Sequence, residues 1–208
     1  MKSKILPIIL VLIFGIDLFL ILNDKAELRF FTKPLLLPIL ILMYFSRVKS
    51  EKTQLNPFFI AGLVLSFFGD LFLLFKWGFL PGLGSFLVAH LFYIIAFKKK
   101  LQTRISEFWP IILCLYASIL LFFLFPYLNE MKIPVTIYAI VIATMMYNAI
   151  KTHNRNLMIG ALLFLISDTL LSINLFLQPL MILNLLVMIT YISAQWFLVK
   201  GMISEKKN

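Results

Sequence analysis

The sequence predicts an all-α membrane protein, a polytopic helical bundle with about eight transmembrane helices. Hydrophobic residues make up 62% of the 208 residues and the mean hydropathy is +1.01, which is more apolar surface than a soluble domain can bury. Many apolar segments approach the length of about 20 residues that a helix needs to cross a bilayer. They lack the alternating pattern of barrel strands, so helices are the remaining way to satisfy the backbone in lipid.

Eight apolar segments, separated by charged or polar clusters, define the predicted spans. Their bounds are Ile5–Leu22, Pro34–Phe45, Pro57–Phe75, Gly78–Phe97, Phe108–Phe125, Pro134–Ile150, Leu157–Phe176 and Leu180–Val199. The second is the shortest, and Pro38 closely follows Pro34, so we expect a bent or only partly spanning helix there. The first has the basic start of a signal peptide but no small-residue cleavage pattern, so we count it as a span.

The distribution of basic residues predicts the orientation of the bundle. Placing both termini in the cytoplasm puts 14 of the 19 Lys and Arg residues on the cytoplasmic side and five on the other. We therefore expect an N-in, C-in protein of a bacterial-type inner membrane. The net charge of +10 is explained by this topology and by contacts with anionic membrane lipids, so we expect no nucleic-acid partner. The sequence leaves the oligomeric state open.

Residues that bind metals are scarce. Cys114 is the only cysteine and lies within a predicted span, which excludes an intramolecular disulfide and a thiolate cluster. His90 and His153 are the only histidines, and neither has a second histidine or a cysteine at ligand spacing. The sequence therefore predicts neither a bound metal nor another cofactor.

An internal repeat relates two aspartates that lie inside apolar spans, Asp70 and Asp168, which are 98 residues apart. The same offset relates two further pairs, Gly62 with Gly160 and Tyr93 with Tyr191. The single domain, residues 1–208, would then consist of two halves, 1–100 and 101–208, with four spans each and hence the same orientation in the membrane. Under that symmetry the two aspartates lie at similar depths and can face each other across the bundle.

A carboxylate in the hydrocarbon layer costs several kcal/mol unless it is paired, hydrated or protonated, so both aspartates are candidate catalytic residues. Asp17 is a third intramembrane acid, but the 98-residue offset places Leu115 opposite it. It also lies near the polar end of the first span. For Asp17 we expect structural snorkelling at least as readily as catalysis.

Polar side chains accompany both candidate acids. Ser66 precedes Asp70 by one helical turn and Ser172 follows Asp168 by one, so each carboxylate has a hydroxyl neighbour. Further polar side chains fall on shared faces of the fourth and eighth spans: His90, Tyr93, Asn184, Tyr191 and Gln195. These residues are candidates for supporting the acids. The alternative is that they only join helices through hydrogen bonds, which we favour for Ser66, Ser172 and Asn184.

Several short segments of the chain are informative together, through their order and spacing. They are Lys33-Pro34-Leu35 with Pro38, Ser66-Phe67-Phe68-Gly69-Asp70-Leu71, Gly84-Ser85-Phe86-Leu87-Val88-Ala89-His90 with Tyr93, Gly160-Ala161-Leu162-Leu163-Phe164 followed by Ser167-Asp168, and Tyr191 through Gln195. In order and spacing they resemble the YhhN-like family of membrane lysoplasmalogenases. The resemblance covers most of the chain.

The resemblance implies an enzyme, a hydrolase acting on ether bonds of the alkenylglycerophospho-choline or -ethanolamine type. Its substrate would be a lysoplasmalogen, a lysophospholipid with a 1-alkenyl chain. Cleavage of the vinyl ether bond would release a fatty aldehyde and a glycerophospho-head group. The resemblance also implies that Asp70 and Asp168 are the catalytic positions.

This chemistry suits a pair of acids. A vinyl ether hydrolyses by protonation of its β carbon, followed by capture of the oxocarbenium ion by water. Burial, and a second carboxylate nearby, both favour retention of a proton on one acid of such a pair. We expect one aspartate to donate the proton and the other, ionised, to stabilise the cation and activate water. The sequence does not say which aspartate has which role.

Two basic residues at the outer end, Arg29 and Lys33, are candidates for binding the lipid phosphate. Snorkelling of long basic side chains at the interface is the alternative. Two other functions also stay open. Paired acids and a parallel repeat suit a proton-coupled transporter of small molecules or lipids. The aspartates of a non-enzymatic scaffold or lipid-binding protein would only fasten helices together.

Overall fold

The computed structural model describes residues 5–101 and 108–203. Within these ranges the chain forms eight α-helices and no β-strand. The helices are α1 (Ile5–Leu22), α2 (Arg29–Glu51), α3 (Pro57–Phe72), α4 (Phe79–Phe97), α5 (Phe108–Leu124), α6 (Lys132–Lys151), α7 (Arg155–Phe176) and α8 (Met181–Ile203). The basic residues Lys2, Lys4, Arg104, Lys206 and Lys207, which contribute to the predicted orientation, lie outside the described residues.

The predicted helical bundle is confirmed, and seven of the eight described helices are long and apolar enough to cross a membrane. The chain is thus an integral membrane protein. The short helix is α3, with 16 residues. It ends at Phe72 because the chain turns back towards α4 through Gly78. A Cβ atom at Gly78 would lie 1.8 Å from the carbonyl oxygen of Phe72, so only glycine fits this turn.

The prediction of a short second helix is wrong. Helix α2 has 23 residues and contains both Pro34 and Pro38 in its interior. The prediction failed because polar residues at both ends interrupt the apolar run. At one end the charges are paired across the helix surface, where Arg47 lies 3.7 Å from Glu51. The prolines are compatible with a helix that packs against neighbours along its length.

Two antiparallel helix pairs have the most extensive contacts, α3 with α4 and α7 with α8. Helix α2 joins these pairs because it packs against α1, α3 and α8. Helix α5 lies at the edge and contacts mainly α6. We call the side of the bundle that carries the α1–α2, α3–α4, α5–α6 and α7–α8 connections the site face.

Equivalent asparagines begin α3 and α7. The side chain of Asn56 accepts hydrogen bonds from the backbone N–H groups of Phe58 and Phe59. The side chain of Asn154, 98 residues later, accepts from Asn156 and Leu157 in the same way. Such caps satisfy backbone donors that the first turn leaves free. The shared offset agrees with the repeat, whose two halves stay a prediction.

Glycines allow α7 and α8 to approach closely. A Cβ atom at Gly160 would lie 2.9 Å from the backbone nitrogen of Leu198, and one at Gly201 would lie 2.8 Å from that of Leu157. Small residues at helix contacts are typical of membrane proteins, in which close backbone approach replaces the hydrophobic effect. This contact holds together the two helices that carry Asp168 and Tyr191.

We expect Gly160→Ala to destabilise the bundle by about 1–3 kcal/mol, because the new methyl group meets backbone that cannot move aside cheaply. Thermal unfolding in detergent measures the change. The control is Gly15→Ala, because a Cβ atom at Gly15 meets nothing within 4 Å. That variant should unfold at the temperature of the parent protein or higher, since alanine favours helix. Equal melting temperatures for both variants would contradict the close approach of α7 and α8.

Candidate active site

A buried ion pair lies near the site face. The Nζ atom of Lys33 on α2 is 3.3 Å from Oδ1 of Asp70 on α3, and the two side chains are only 9% and 4% exposed. The hydroxyl of Tyr191 on α8 donates to the other carboxylate oxygen, Oδ2, at 2.7 Å. Three helices thus meet at one carboxylate. Lys33 is not an interfacial side chain, because its charge is satisfied inside the bundle.

Asp168 on α7 has different neighbours. The hydroxyl of Tyr138 on α6 donates to its Oδ2 atom at 2.6 Å. The Nε2 atom of His90 on α4 lies 3.9 Å from the same oxygen. Among the described residues, neither a lysine nor an arginine lies within ion-pair distance of Asp168. Its side chain is 13% exposed, so it is the more accessible of the two acids.

The two aspartates line the same cavity, which has a volume of about 150 Å³. Arg29, Lys33 and Tyr191 are also in its wall. The cavity therefore has a cationic side formed by α2 and an acidic interior formed by α3 and α7. The structure brings together two acids that are distant in sequence, which is the arrangement that the repeat predicted.

A second set of predicted residues forms a hydrogen-bonded cluster beside the cavity. The hydroxyl of Tyr93 donates to Oε1 of Gln195 at 2.9 Å and lies 3.2 Å from Oγ of Ser66. All three side chains are fully buried. The Tyr93 ring also packs so closely on Gly62 that a Cβ atom there would lie 2.4 Å from a ring carbon. Because none of these described residues lines the cavity, we assign them to joining α3, α4 and α8.

His90 is fully buried in an aromatic environment. Its ring centroid is 4.6 Å from that of Phe164 and 5.3 Å from that of Tyr138. Within the described residues its two ring nitrogens have no hydrogen-bond partner. Its Nε2 atom lies 3.9 Å from Oδ2 of Asp168, which is longer than a hydrogen bond.

Asp17 does not snorkel, so that expectation is wrong. Its side chain is fully buried. The Nε and Nη2 atoms of Arg29 donate to its two carboxylate oxygens at 3.2 and 3.1 Å, and the Thr32 hydroxyl donates at 2.7 Å. Arginine matches a carboxylate with two parallel hydrogen bonds, which makes this a well-defined link between α1 and the start of α2. Arg29 lies one helical turn before Lys33, so the link also holds Lys33 in place.

The two serines near the acids do not hydrogen-bond to the carboxylates. Ser66 instead joins α3 to α4, as expected, whereas Ser172 bonds within its own helix. Ser66 lies beside the Tyr93 hydroxyl, and the Ser172 hydroxyl donates to the backbone carbonyl of Asp168 at 2.8 Å. A serine inside a helix readily bonds to the carbonyl one turn before it, which explains the geometry of Ser172.

Sequence reasoning missed Tyr138, the hydrogen-bond donor to Asp168. The residue 98 positions earlier is Leu40, so the repeat contains no signal for it. It also missed Asn174, whose amide donates to Oδ1 of Asn184 at 2.8 Å in the cavity wall. As to metals, the described residues contain no group of three or more His, Cys, Asp or Glu side chains that could hold one.

Together, the fold and the site define a polytopic helical membrane protein with a cavity that two carboxyl groups line. The chain belongs to the YhhN family, whose family model matches residues 28–202. This confirms the resemblance of the short segments.

Named relatives extend this comparison. The chain is 34% identical over 160 residues to the lysoplasmalogenase TMEM86B of Sus scrofa, with 76% of this chain and 69% of that protein covered. The TMEM86B lysoplasmalogenase of Homo sapiens is 33% identical with the same coverage. A lysoplasmalogenase of Mycobacterium bovis is 30% identical over 128 residues, which is 56% of this chain and 49% of that protein. No solved structure gives a significant match.

We expect Lys33→Met to lower the free energy of unfolding by about 3 kcal/mol, because it leaves the buried Asp70 carboxylate without its counterion. The double variant Lys33→Met/Asp70→Asn should recover most of the loss, since it leaves no buried charge unpaired. Unfolding in detergent measures both. Lys76→Met, at an exposed position, is the matched control. A single variant as stable as the parent protein would contradict a buried ion pair.

Proposed function

We propose that this protein hydrolyses the vinyl ether bond of lysoplasmalogens. The names of the relatives from Sus scrofa, Homo sapiens and Mycobacterium bovis support this substrate class. The observation that carries the proposal is the asymmetry of the two acids in one cavity: Asp70 has a lysine counterion, whereas no lysine or arginine of the described residues lies within ion-pair distance of Asp168.

This asymmetry assigns a role to each aspartate. The ammonium group of Lys33 and the hydroxyl of Tyr191 both favour a charged Asp70. Asp168 has no such cation within reach among the described residues, and a second negative charge on a largely buried side chain of the same cavity is costly. We therefore assign the retained proton, and the role of general acid, to Asp168. Tyr138 occupies its Oδ2 atom, which leaves Oδ1 to carry the proton.

In the first step Asp168 transfers its proton to the β carbon of the vinyl ether, and the π electrons form the new C–H bond. The α carbon and the ether oxygen then share a positive charge, which the Asp70 carboxylate stabilises. Water adds to the α carbon as Asp70 accepts one of its protons, giving a hemiacetal. Finally Asp70 returns this proton to the glycerol oxygen as the C–O bond breaks, and Asp168 accepts the hydroxyl proton. Aldehyde and alcohol leave, and both acids regain their starting states.

The cationic side of the cavity suits a lipid phosphate. Arg29 binds Asp17 through Nε and Nη2, which leaves its Nη1 group for a phosphate oxygen. Lys33 has further N–H groups besides the one directed at Asp70. Both residues lie at the site face, which the distribution of basic residues predicts to be the outer one. We assign the glycerophospho-head group to this side.

The remaining predicted residues have supporting roles in this proposal. Tyr191 and Tyr138 orient the two carboxyl groups through their hydroxyls. His90 is fully buried next to Asp168. Together with the buried Tyr93–Gln195–Ser66 cluster, it keeps bulk water out of the bundle. Exclusion of water strengthens the electrostatic interactions between the acids and the cationic intermediate.

Asp168→Asn should lower the rate of aldehyde release from a lysoplasmalogen by at least about 100-fold, because an amide cannot act as the general acid. Asp70→Asn should also lower it strongly, by removing the cation-stabilising charge. The control is Asp24→Asn, at an exposed connection residue with a positive φ that asparagine tolerates. Parental activity in Asp168→Asn would contradict the assignment.

Companion measurements separate the rival functions. Uptake of lipid into sealed vesicles without any aldehyde would favour a transporter. Loss of thermal stability, rather than of activity, in both aspartate variants would favour a scaffold.

Deuterium labelling identifies the substrate carbon that receives the proton. Hydrolysis in D₂O, with immediate reduction of the aldehyde to stop exchange, should place one deuterium on the carbon next to the former aldehyde carbon. This follows because the proton that Asp168 delivers comes from solvent and forms a C–H bond. Mass spectrometry of the resulting alcohol measures it. Aldehyde without deuterium at that carbon would contradict protonation of the vinyl ether.

A further inference from the structure

A second, smaller cavity lies next to the cavity that Asp70 and Asp168 line, which we call the acidic cavity. It has a volume of about 30 Å³ and lies between α4, α6 and α7. Its wall is mainly apolar and includes Leu83 and Val135. The hydroxyls of Tyr138 and Ser172, which also line it, are already hydrogen-bonded, to the Asp168 carboxylate and to its backbone carbonyl. We call this cavity the apolar cleft.

The apolar cleft adjoins the acidic cavity. Five residues line both: Leu73, Phe86, Asp168, Leu171 and Leu175. Asp168 is the only ionisable carboxyl group among them. A molecule that occupies both spaces therefore has one polar end near Lys33, one apolar end against α4 and α6, and its middle against Asp168.

We propose that the apolar cleft receives the alkenyl chain of the substrate and places the vinyl ether carbons at Asp168. This inference rests on the proposed function and adds a chain-binding subsite to it. The cleft has room for on the order of one water-sized group. It therefore binds the chain close to the reacting carbons, and the rest of the chain extends out of the cleft.

A larger apolar groove offers a contrasting location. It has a volume of about 300 Å³ and lies between α5, α6 and α7, with Trp109 and Leu162 in its wall. Neither aspartate lines it. Volume alone would favour this groove for a lipid chain, but the carboxyl group to which we assign the proton transfer is not in its wall. We therefore place the alkenyl chain in the apolar cleft, because the cleft is connected to the acidic cavity.

Photocrosslinking tests the location of the chain without requiring catalysis. The probe is a saturated 1-O-alkyl lysophosphatidylcholine with a diazirine a few carbons from the ether oxygen, bound to the full-length protein in detergent micelles. We expect adducts on Leu83 or Val135 that unlabelled lysoplasmalogen competes away. Adducts confined to the groove around Trp109 and Leu162, or adducts that no competitor displaces, would overturn the proposal.

Chain-length selectivity provides a second test. Leu83→Trp fills the apolar cleft, so the ratio of kcat/KM for a butenyl substrate to that for an ethenyl substrate, which has no carbon beyond the reacting pair, should fall about tenfold. Leu162→Trp, which fills the groove instead, is the matched control and should keep the parental ratio. Val135→Phe replaces Leu83→Trp if the latter does not fold. An unchanged ratio in the cleft variants, or the same fall in Leu162→Trp, would overturn the proposal.

The proposed function and the chain-binding subsite can fail separately. If the parent protein hydrolyses neither substrate, the proposed function fails, whereas the crosslinking result still decides whether the apolar cleft binds the chain. If it hydrolyses both and the cleft variants keep the parental ratio, the chain lies elsewhere and vinyl ether hydrolysis stands.

Discussion

The ion pair between Lys33 and Asp70 is the interaction on which the rest of the site depends. Two opposite charges buried in the bundle are stable only if their geometry and remaining hydrogen bonds are satisfied. Here Tyr191 completes the coordination of the carboxylate, and the Asp17–Arg29 link one turn away holds the start of α2. The pair thereby ties three helices together. Because Lys33 is paired with Asp70, Asp168 faces the same cavity without a comparable cation among the described residues.

Function in this proposal arises from the difference between two residues that the repeat relates. Carboxyl groups in like surroundings would compete for one proton, whereas unlike surroundings divide the roles of acid and base between them. Asp70 has a cation and Asp168 has a tyrosine, and the apolar cleft meets the cavity on the side of Asp168. The acid that keeps its proton is thus also the one nearest to the place proposed for the lipid chain.

The sequence was informative where a feature depends on local pattern. Hydropathy alone located seven of the eight helices to within a few residues. It missed both ends of α2, because charged residues there interrupt the apolar run, and only the structure shows that these charges are paired. The offset of 98 residues identified the two acids that share a cavity. It could not identify Tyr138, which has no repeat partner, or the partner of Asp17, because ion pairing across helices leaves no periodic trace. The same limit hid the asymmetry between the acids, since it depends on which helix places Lys33 next to which carboxylate.

Infrared spectroscopy of the carboxyl groups shows which aspartate keeps its proton. A protonated carboxyl group inside the bundle has a C=O stretch distinct from that of a carboxylate, and spectra of aspartate variants assign it. If Asp168 is the protonated acid, the protein shows such a band near neutral pH, Asp168→Asn removes it and Asp70→Asn retains it. A band that disappears in Asp70→Asn and persists in Asp168→Asn would contradict this assignment, as would the absence of any protonated carboxyl group.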